Sequence, residues 1–163
     1  MKLENMKALL LDELQDLHSA ELQITKALPK MVKSASNERL KEAFQSHLEE
    51  TENHVQRLEK ILKHMKMNAK GKTCEGMKGI LKEGEERTKE HGDPAVMDAG
   101  LISAAQRVEH YEIASYGSAR TYAELLGENE VVRLLEETLE EEKSADAKLT
   151  QIANQIHQQA KAA

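Results

Sequence analysis

The chain of 163 residues contains one cysteine, no tryptophan, two prolines and eight glycines, and aromatic residues make up only 2% of it. Each scarcity excludes something. A lone cysteine, Cys74, can close no internal disulfide and fits a reducing compartment, so a cytoplasmic location is expected. So few prolines, glycines and aromatics argue against a β-sandwich or barrel, which needs frequent turn residues and ring-bearing strands. No apolar run approaches the length of a membrane span, and no membrane partner is expected. The opening MKLENMKALLLDELQDL is too acidic and too amphipathic to read as a signal peptide. Basic blocks are missing too, and with a formal charge of −6 the chain is not expected to bind nucleic acid.

What is present is helix. Residues 3 to 34 place Leu10, Leu14, Leu17, Glu21, Ile24, Leu28 and Met31 on one face, at steps of three and four. Pro29, which lacks an amide donor, is expected to kink or interrupt this helix near Leu28. After the turn SASN a second helix runs to about Met67, with Leu40, Phe44, His47, Thr51, either His54 or Val55, and Leu58 inward and Glu50 beside them. Its polar groups gather at mid-length, with apolar ones at both ends. NAKGKT at 68 to 73 reads as a linker. Residues 74 to 91 form a shorter helical pattern, weakened by Gly76, Gly79 and Gly84 and expected to pack outside the main bundle.

The segment 95 to 126 is the most informative. Asp93 supplies an N-cap, Pro94 the first helical position and Gly127 the stop. Its inner stripe is Ile102, Ala105, Val108, Glu109, Glu112, Tyr116, Ala119 and Ala123, so two glutamates one turn apart break an apolar face. The last helix, 129 to 160, turns Leu134, Leu135, Thr138, Glu141 or Glu142, Ala145, Leu149, Ile152 and Ile156 inward, and the tail QQAKAA is expected to fray. The halves also resemble each other. HLEETENHVQRLEKI (47 to 61) lies on TLEEEKSADAKLTQI (138 to 152), and HSAELQ (18 to 23) on EHYEIA (109 to 114), with the same offset. A pair of related helical hairpins, 3–67 and 94–160, with the helix 74–91 inserted between them in a single domain 1–163, is the simplest organisation.

Four long helices thus bring carboxylates to mid-length on their inner faces: Glu21, Glu50, Glu109 with Glu112, and Glu141 with Glu142, accompanied by His47. Unpaired buried carboxylates are costly and need protons, cations or metal. Oxygen-rich donors with one or two imidazoles match a pair of divalent metals, Fe(II) or Mn(II), which Zn(II) can replace. The doublet is ambiguous by one residue: the repeat favours Glu141, and the spacing to Ala145 and Leu149 favours Glu142. His54 reads more simply as a surface partner of Glu50. Asp146 reads as a ligand or an outer acceptor, and His18 and His110 as outer or surface groups. Tyr116, one turn past Glu112, is placed to hydrogen-bond a ligand, though a core tyrosine is the plainer reading. Glu128, Glu137 and Glu140 read as solvated, and Cys74 has no companion for thiol chemistry.

LHSAELQITKALPKM, FQSHLEETENHVQRLE, AQRVEHYEIASYGSARTYAELLG and LLEETLEEEKSADAKLTQIA resemble signature segments of the bacterial YciE/YciF-type stress proteins, in the ferritin-like superfamily. The resemblance implies an all-α, ferritin-like four-helix bundle with an additional short helix, a homodimer in the cytoplasm, and a dinuclear metal centre. It further implies Glu21 and Glu109 or Glu112 in the single-glutamate positions. The superfamily's Glu-x-x-His element departs here, since Glu50 is followed at that spacing by Asn53 and Glu141 by Ser144. The expected function is a dinuclear metal-binding protein of the stress response, an oxidoreductase acting on a small oxidant such as oxygen or peroxide. The alternatives are a metal-sequestering protein without turnover and a structural module whose polar core sets helix register.

Overall fold

The computed structural model describes residues 3–163. Five helices follow in order: α1 (Met6–Ser34), α2 (Glu38–His64), α3 (Glu75–Arg87), α4 (Pro94–Leu125) and α5 (Asn129–Ala162). The architecture is a ferritin-like helical bundle, with α1 and α2 packed as one hairpin, α4 and α5 as the other, and α3 laid outside against α1 and α4. Among the described residues no helix is long and apolar enough to cross a membrane.

Local signals set the helix ends. Asn5 caps α1 by accepting from the Ala8 amide, Asn37 caps α2 through Leu40, and Asp93 caps α4 through Ala95 and Val96. At the other ends, Gly127 adopts φ 70° and the Glu128 amide reaches back to the Ala123 carbonyl at 3.0 Å. Lys66 does the same job with φ 57°, the Met67 amide bonding the Leu62 carbonyl at 2.9 Å, so α2 stops three residues earlier than its sequence pattern implies.

Three expectations change. Pro29 does not interrupt α1, which is helical through Ser34; Pro29 is exposed on the outer face, where solvent can serve the carbonyl it frees. α3 ends at Arg87, because residues 88 and 89 form a turn rather than a further helical one. α5 continues to Ala162, through most of the tail expected to fray. Gly76 has a reason to be glycine: a Cβ there would stand 2.9 Å from the Tyr111 ring and hydroxyl, so the small residue lets α3 dock closely on α4.

The core is divided. One apolar cluster gathers Ile24, Leu28, Phe44, Val108, Leu149 and Ile152 toward the hairpin end that carries the α1–α2 turn. A second gathers Leu14, Leu17, Leu58, Tyr116, Leu135 and Leu139 toward the opposite end. Between them every bundle helix contributes buried polar side chains: Glu21; His47, Thr51 and His54; Glu109 and Glu112; Thr138 and Glu142. The fold thus sandwiches one polar layer between two dry ones.

Candidate metal centre

The polar layer condenses into two groups of donors, Glu21–His54–Glu142 and His47–Glu112–Glu142, each with its ligand atoms within 4.8 Å of one another. Glu142 belongs to both. Every member is buried, and Glu21, His54, Glu112 and Glu142 have no accessible surface. His54 Nδ1 stands 3.3 Å from both Glu21 Oε1 and Glu142 Oε1, and His47 Nε2 stands 3.9 Å from Glu142 Oε2. Tyr116 donates its hydroxyl to Glu21 Oε1 at 2.5 Å, which ties the second apolar cluster to the site.

The histidines are held from behind by a matching device. His54 Nε2 bonds Glu141 Oε2 at 2.8 Å, and Glu141 is itself gripped by Arg57, whose Nη1 lies 2.7 Å from the same oxygen. On the other side Glu50 Oε2 stands 3.5 Å from His47 Nδ1. A carboxylate at the back of an imidazole fixes the ring's orientation and tautomer, leaving the other nitrogen turned toward the site. Glu50 and Glu141, which the internal repeat pairs, both lie outside the two groups, Glu141 hydrogen-bonded to His54 and Glu50 in a longer ionic contact with His47. Both are partly exposed, at 39% and 35%.

Burial and repulsion dominate the electrostatics. Desolvation, with help from Glu142 and Glu21, pushes the Glu112 carboxyl well above its ordinary range. Burial pushes Glu109 up to about 8, against the pull of His47. Burial also raises Glu142, to about 7, despite both histidines. For His54, burial alone would lower the imidazolium pKa, but the hydrogen bonds to Glu141 and Glu21 outweigh it and raise it to about 10. The same imidazole is the first cause that draws Glu141 down to about 2. His47 is raised as well, burial being outweighed by Glu142 and Glu50.

Access runs beside His47. A narrow cleft of about 100 Å³ between α2, α4 and α5 is lined by Ser46, His47, Glu50, Glu109, Ser144 and Lys148, so Glu109 stands at its inner wall. Glu109 is 2% exposed but lies outside the two donor groups, its Oε2 without a hydrogen-bond partner. Asp146 is outside them too, engaged by Gln106 at 2.9 Å and His110 at 3.2 Å. His18 is buried at the back of α1, 3.5 Å from Glu59. Cys74 is occupied elsewhere, 3.1 Å from the Tyr111 hydroxyl.

His54 is the residue whose place the sequence leaves undecided and the structure puts at the centre. The signal lies in the register. The buried positions 40, 44, 47, 51, 54 and 58 alternate steps of four and three, which selects His54 over Val55. The same alternation through 131, 135, 138 and 142, resumed after the half-buried Ala145 at 149, 152 and 156, selects Glu142 over Glu141.

A family model described as a domain of unknown function, DUF892, matches residues 5–162. The chain belongs to this family, the YciE/YciF type. Protein YciF of Escherichia coli K12 is 42% identical over 162 residues, 98% of each chain. The crystal structure of the E. coli stress protein YciF superimposes with a TM-score of 0.92, covering 95% of this chain and 98% of that one. YcfI of Rhodopseudomonas palustris, 44% identical, gives 0.88 over 91% and 95% of the two chains. A Xanthomonas campestris protein with 20% identity over 93% of each chain gives 0.76, a likeness of fold alone. The positions turned inward are Thr51 and His54 on α2 and Glu142 with the half-buried Ala145 on α5, one residue later than Glu50 and Glu141 and their partners at the same spacing.

Proposed function

We propose that this protein holds a pair of divalent metal ions, iron or manganese, in the buried layer and uses them to react with oxygen or peroxide. One observation carries the reading. Among the described residues ten buried side-chain nitrogen and oxygen atoms lack a hydrogen-bond partner, and all but His18 Nε2 belong to Glu21, His47, His54, Glu109, Glu112 and Glu142. Native proteins leave few such atoms, and each costs about 1–3 kcal/mol when unsatisfied. Apart from His47 Nδ1, which faces Glu50, eight of them gather in one layer, as the ligand atoms of a metal site do without the ion.

The donor set fits the group. Carboxylates and imidazoles without a thiolate suit Fe(II) and Mn(II), with Zn(II) as a substitute in preparations. Glu21 and His54 would hold one ion, His47 and Glu112 the other, with Glu142 shared between them and Glu109 beside the cleft. Bound there, such metals would supply electrons to oxygen or peroxide, or accept them from peroxide. The chain's own part is to hold both imidazoles through Glu50 and Glu141–Arg57, to anchor Glu21 through Tyr116, and to admit only small molecules past Ser46 and Ser144. The stress-response context comes from the name of the E. coli relative. A homodimer and a cytoplasmic location belong to the same proposal, on the family resemblance and the single cysteine.

The test is metal analysis of protein purified without oxygen, paired with anomalous diffraction at the iron and manganese edges. Two ions per chain within reach of Glu142 are expected, followed by an optical change on adding peroxide. A metal-free layer whose glutamates are satisfied by protons and water would leave only a structural role. Full metal with no reaction to oxygen or peroxide would leave sequestration.

A further inference from the structure

α3 is the element that the bundle and its polar layer do not require, and it creates a second site. Between α1 and α3, with α4 as the floor, lies a groove of about 400 Å³, within the size range of small-molecule pockets. Its floor is apolar: Ala27, Met31, Ile80, Leu81, Ala104 and Val108. Only Met77 of α3 is buried, so Ile80 and Leu81 stay half-buried along this wall instead of closing onto the bundle.

The rim has the opposite character to the chain as a whole. In a protein of formal charge −6, Lys26, Lys30, Lys78 and Lys82 line the groove against a single acid, Glu85. Lys30 pairs with Glu85 and Lys78 with Glu75, but Lys26 and Lys82 make no ion pair among the described residues. The inner end leads on. A small, wholly apolar cavity that touches His47 shares Ala27, Met31, Leu81 and Val108 with the groove, so the floor runs toward the bundle interior.

An apolar trough with unpaired ammonium groups at its lip matches one ligand chemistry: a carboxylate on an alkyl chain. We propose that the groove between α1 and α3 binds a medium-chain fatty acid, its carboxylate on Lys26 and Lys82 and its chain on the Ala27–Leu81–Val108 floor. Binding requires no metal. It therefore stands or falls separately from the function proposed for the buried layer.

Isothermal titration of the full chain, metal-free and metal-loaded, with decanoate below its micelle concentration tests this. Saturable binding of one molecule per chain is expected in both forms. Affinity should rise roughly three- to fourfold per methylene from hexanoate to decanoate, as burial of a CH₂ group implies. The K26E/K82E variant should weaken decanoate at least tenfold while leaving decanol within about twofold, because a local charge-assisted contact is lost and the apolar floor kept. Ala27→Phe, which fills the floor, should weaken both ligands, with the metal content and melting temperature of each variant checked against wild type. No saturable decanoate binding to the wild-type chain, or equal binding to K26E/K82E, would overturn the proposal. So would sedimentation showing that Ala27→Phe splits a dimer, since the groove would then be occupied by a second copy.

Discussion

Replacing Glu142 with glutamine separates the metal reading from a merely polar core, because the two predict effects of opposite sign. Glu142 is fully buried, lies in both donor groups, and has a carboxyl raised by burial from 4.5 to about 7. In metal-free protein the folded state therefore binds the proton more tightly than the unfolded chain. Stability from this group is fully present below pH 4.5 and is lost as pH rises through 7. Each pH unit between the two values is worth about 1.4 kcal/mol, so ionised Glu142 costs the metal-free fold about 3 kcal/mol at pH 8. Glutamine keeps the shape and cannot ionise. Metal-free E142Q should match wild type near pH 4 and exceed it by about 3 kcal/mol at pH 8, roughly 10 °C in melting temperature for a chain of this size.

With Mn(II) or Fe(II) the order reverses. A ligand at a thousand times its Kd stabilises the folded state by about 4 kcal/mol, and wild type should gain on this scale. E142Q, having lost the one carboxylate common to both groups, should gain almost nothing. The assay is thermal unfolding by circular dichroism at pH 4 and pH 8, after chelation and with added metal. A metal-free E142Q less stable than wild type at pH 8, or one retaining the full metal-induced gain, would refute the argument.

Other consequences follow from the same geometry. Metal can bind His54 only as the neutral imidazole and Glu109, Glu112 and Glu142 only as carboxylates, so loading at pH 7 should release about three protons per chain, read by a pH indicator in weak buffer. Glu141→Gln removes the anchor behind His54 but no member of the two groups; metal affinity should fall about 10–100-fold with two ions still bound at saturation. Equal loss of stoichiometry in a titration would place Glu141 among the ligands after all. Tyr116→Phe leaves a Glu21 oxygen without its donor and should cost the metal-free protein about 1–3 kcal/mol in urea unfolding, with the stoichiometry unchanged.

The fold was open to inspection because the four long helices are strongly amphipathic and their stripes are long. Positions 10, 14, 17, 21, 24, 28 and 31 of α1 leave little room for another register, and Glu21 falls inside it. The site was harder, since adjacent residues on a helix differ by about 100° and a glutamate doublet offers both choices. Glu50 and Glu141 look like ligands because the internal repeat aligns them, yet the repeat aligns any equivalent pair. What it aligned here is the two carboxylates that stand behind the histidines. His54 was obscured by an ordinary fact, that a histidine four residues past a glutamate usually pairs with it on the surface. Only the packing of α2 against α5 shows that it turns inward. Pro29 leaves α1 uninterrupted for a related reason, because its cost depends on which face it occupies.

An asymmetry between the two hairpins lowers the charge that the metal-free layer must bury. The offset that pairs Glu21 with Glu112 also pairs Thr51 with Glu142 and His54 with Ala145. A glutamate at position 51, matching Glu142 in the repeat, would add a further buried carboxylate to this layer. Thr51 stands there instead, fully buried and satisfied by donating to the His47 carbonyl at 2.7 Å. One negative charge is thereby absent from the least solvated point of the core. Of the charges that remain, Glu109 and Glu112 hold protons more tightly than exposed glutamates do, and His54 keeps a positive charge against Glu21 and Glu141. The net buried charge of the metal-free layer is thus far smaller than its four carboxylates suggest. The asymmetric site can exist folded and protonated, so on the metal reading proposed above an ion would enter by displacing protons from a cavity already shaped rather than by assembling the bundle around itself.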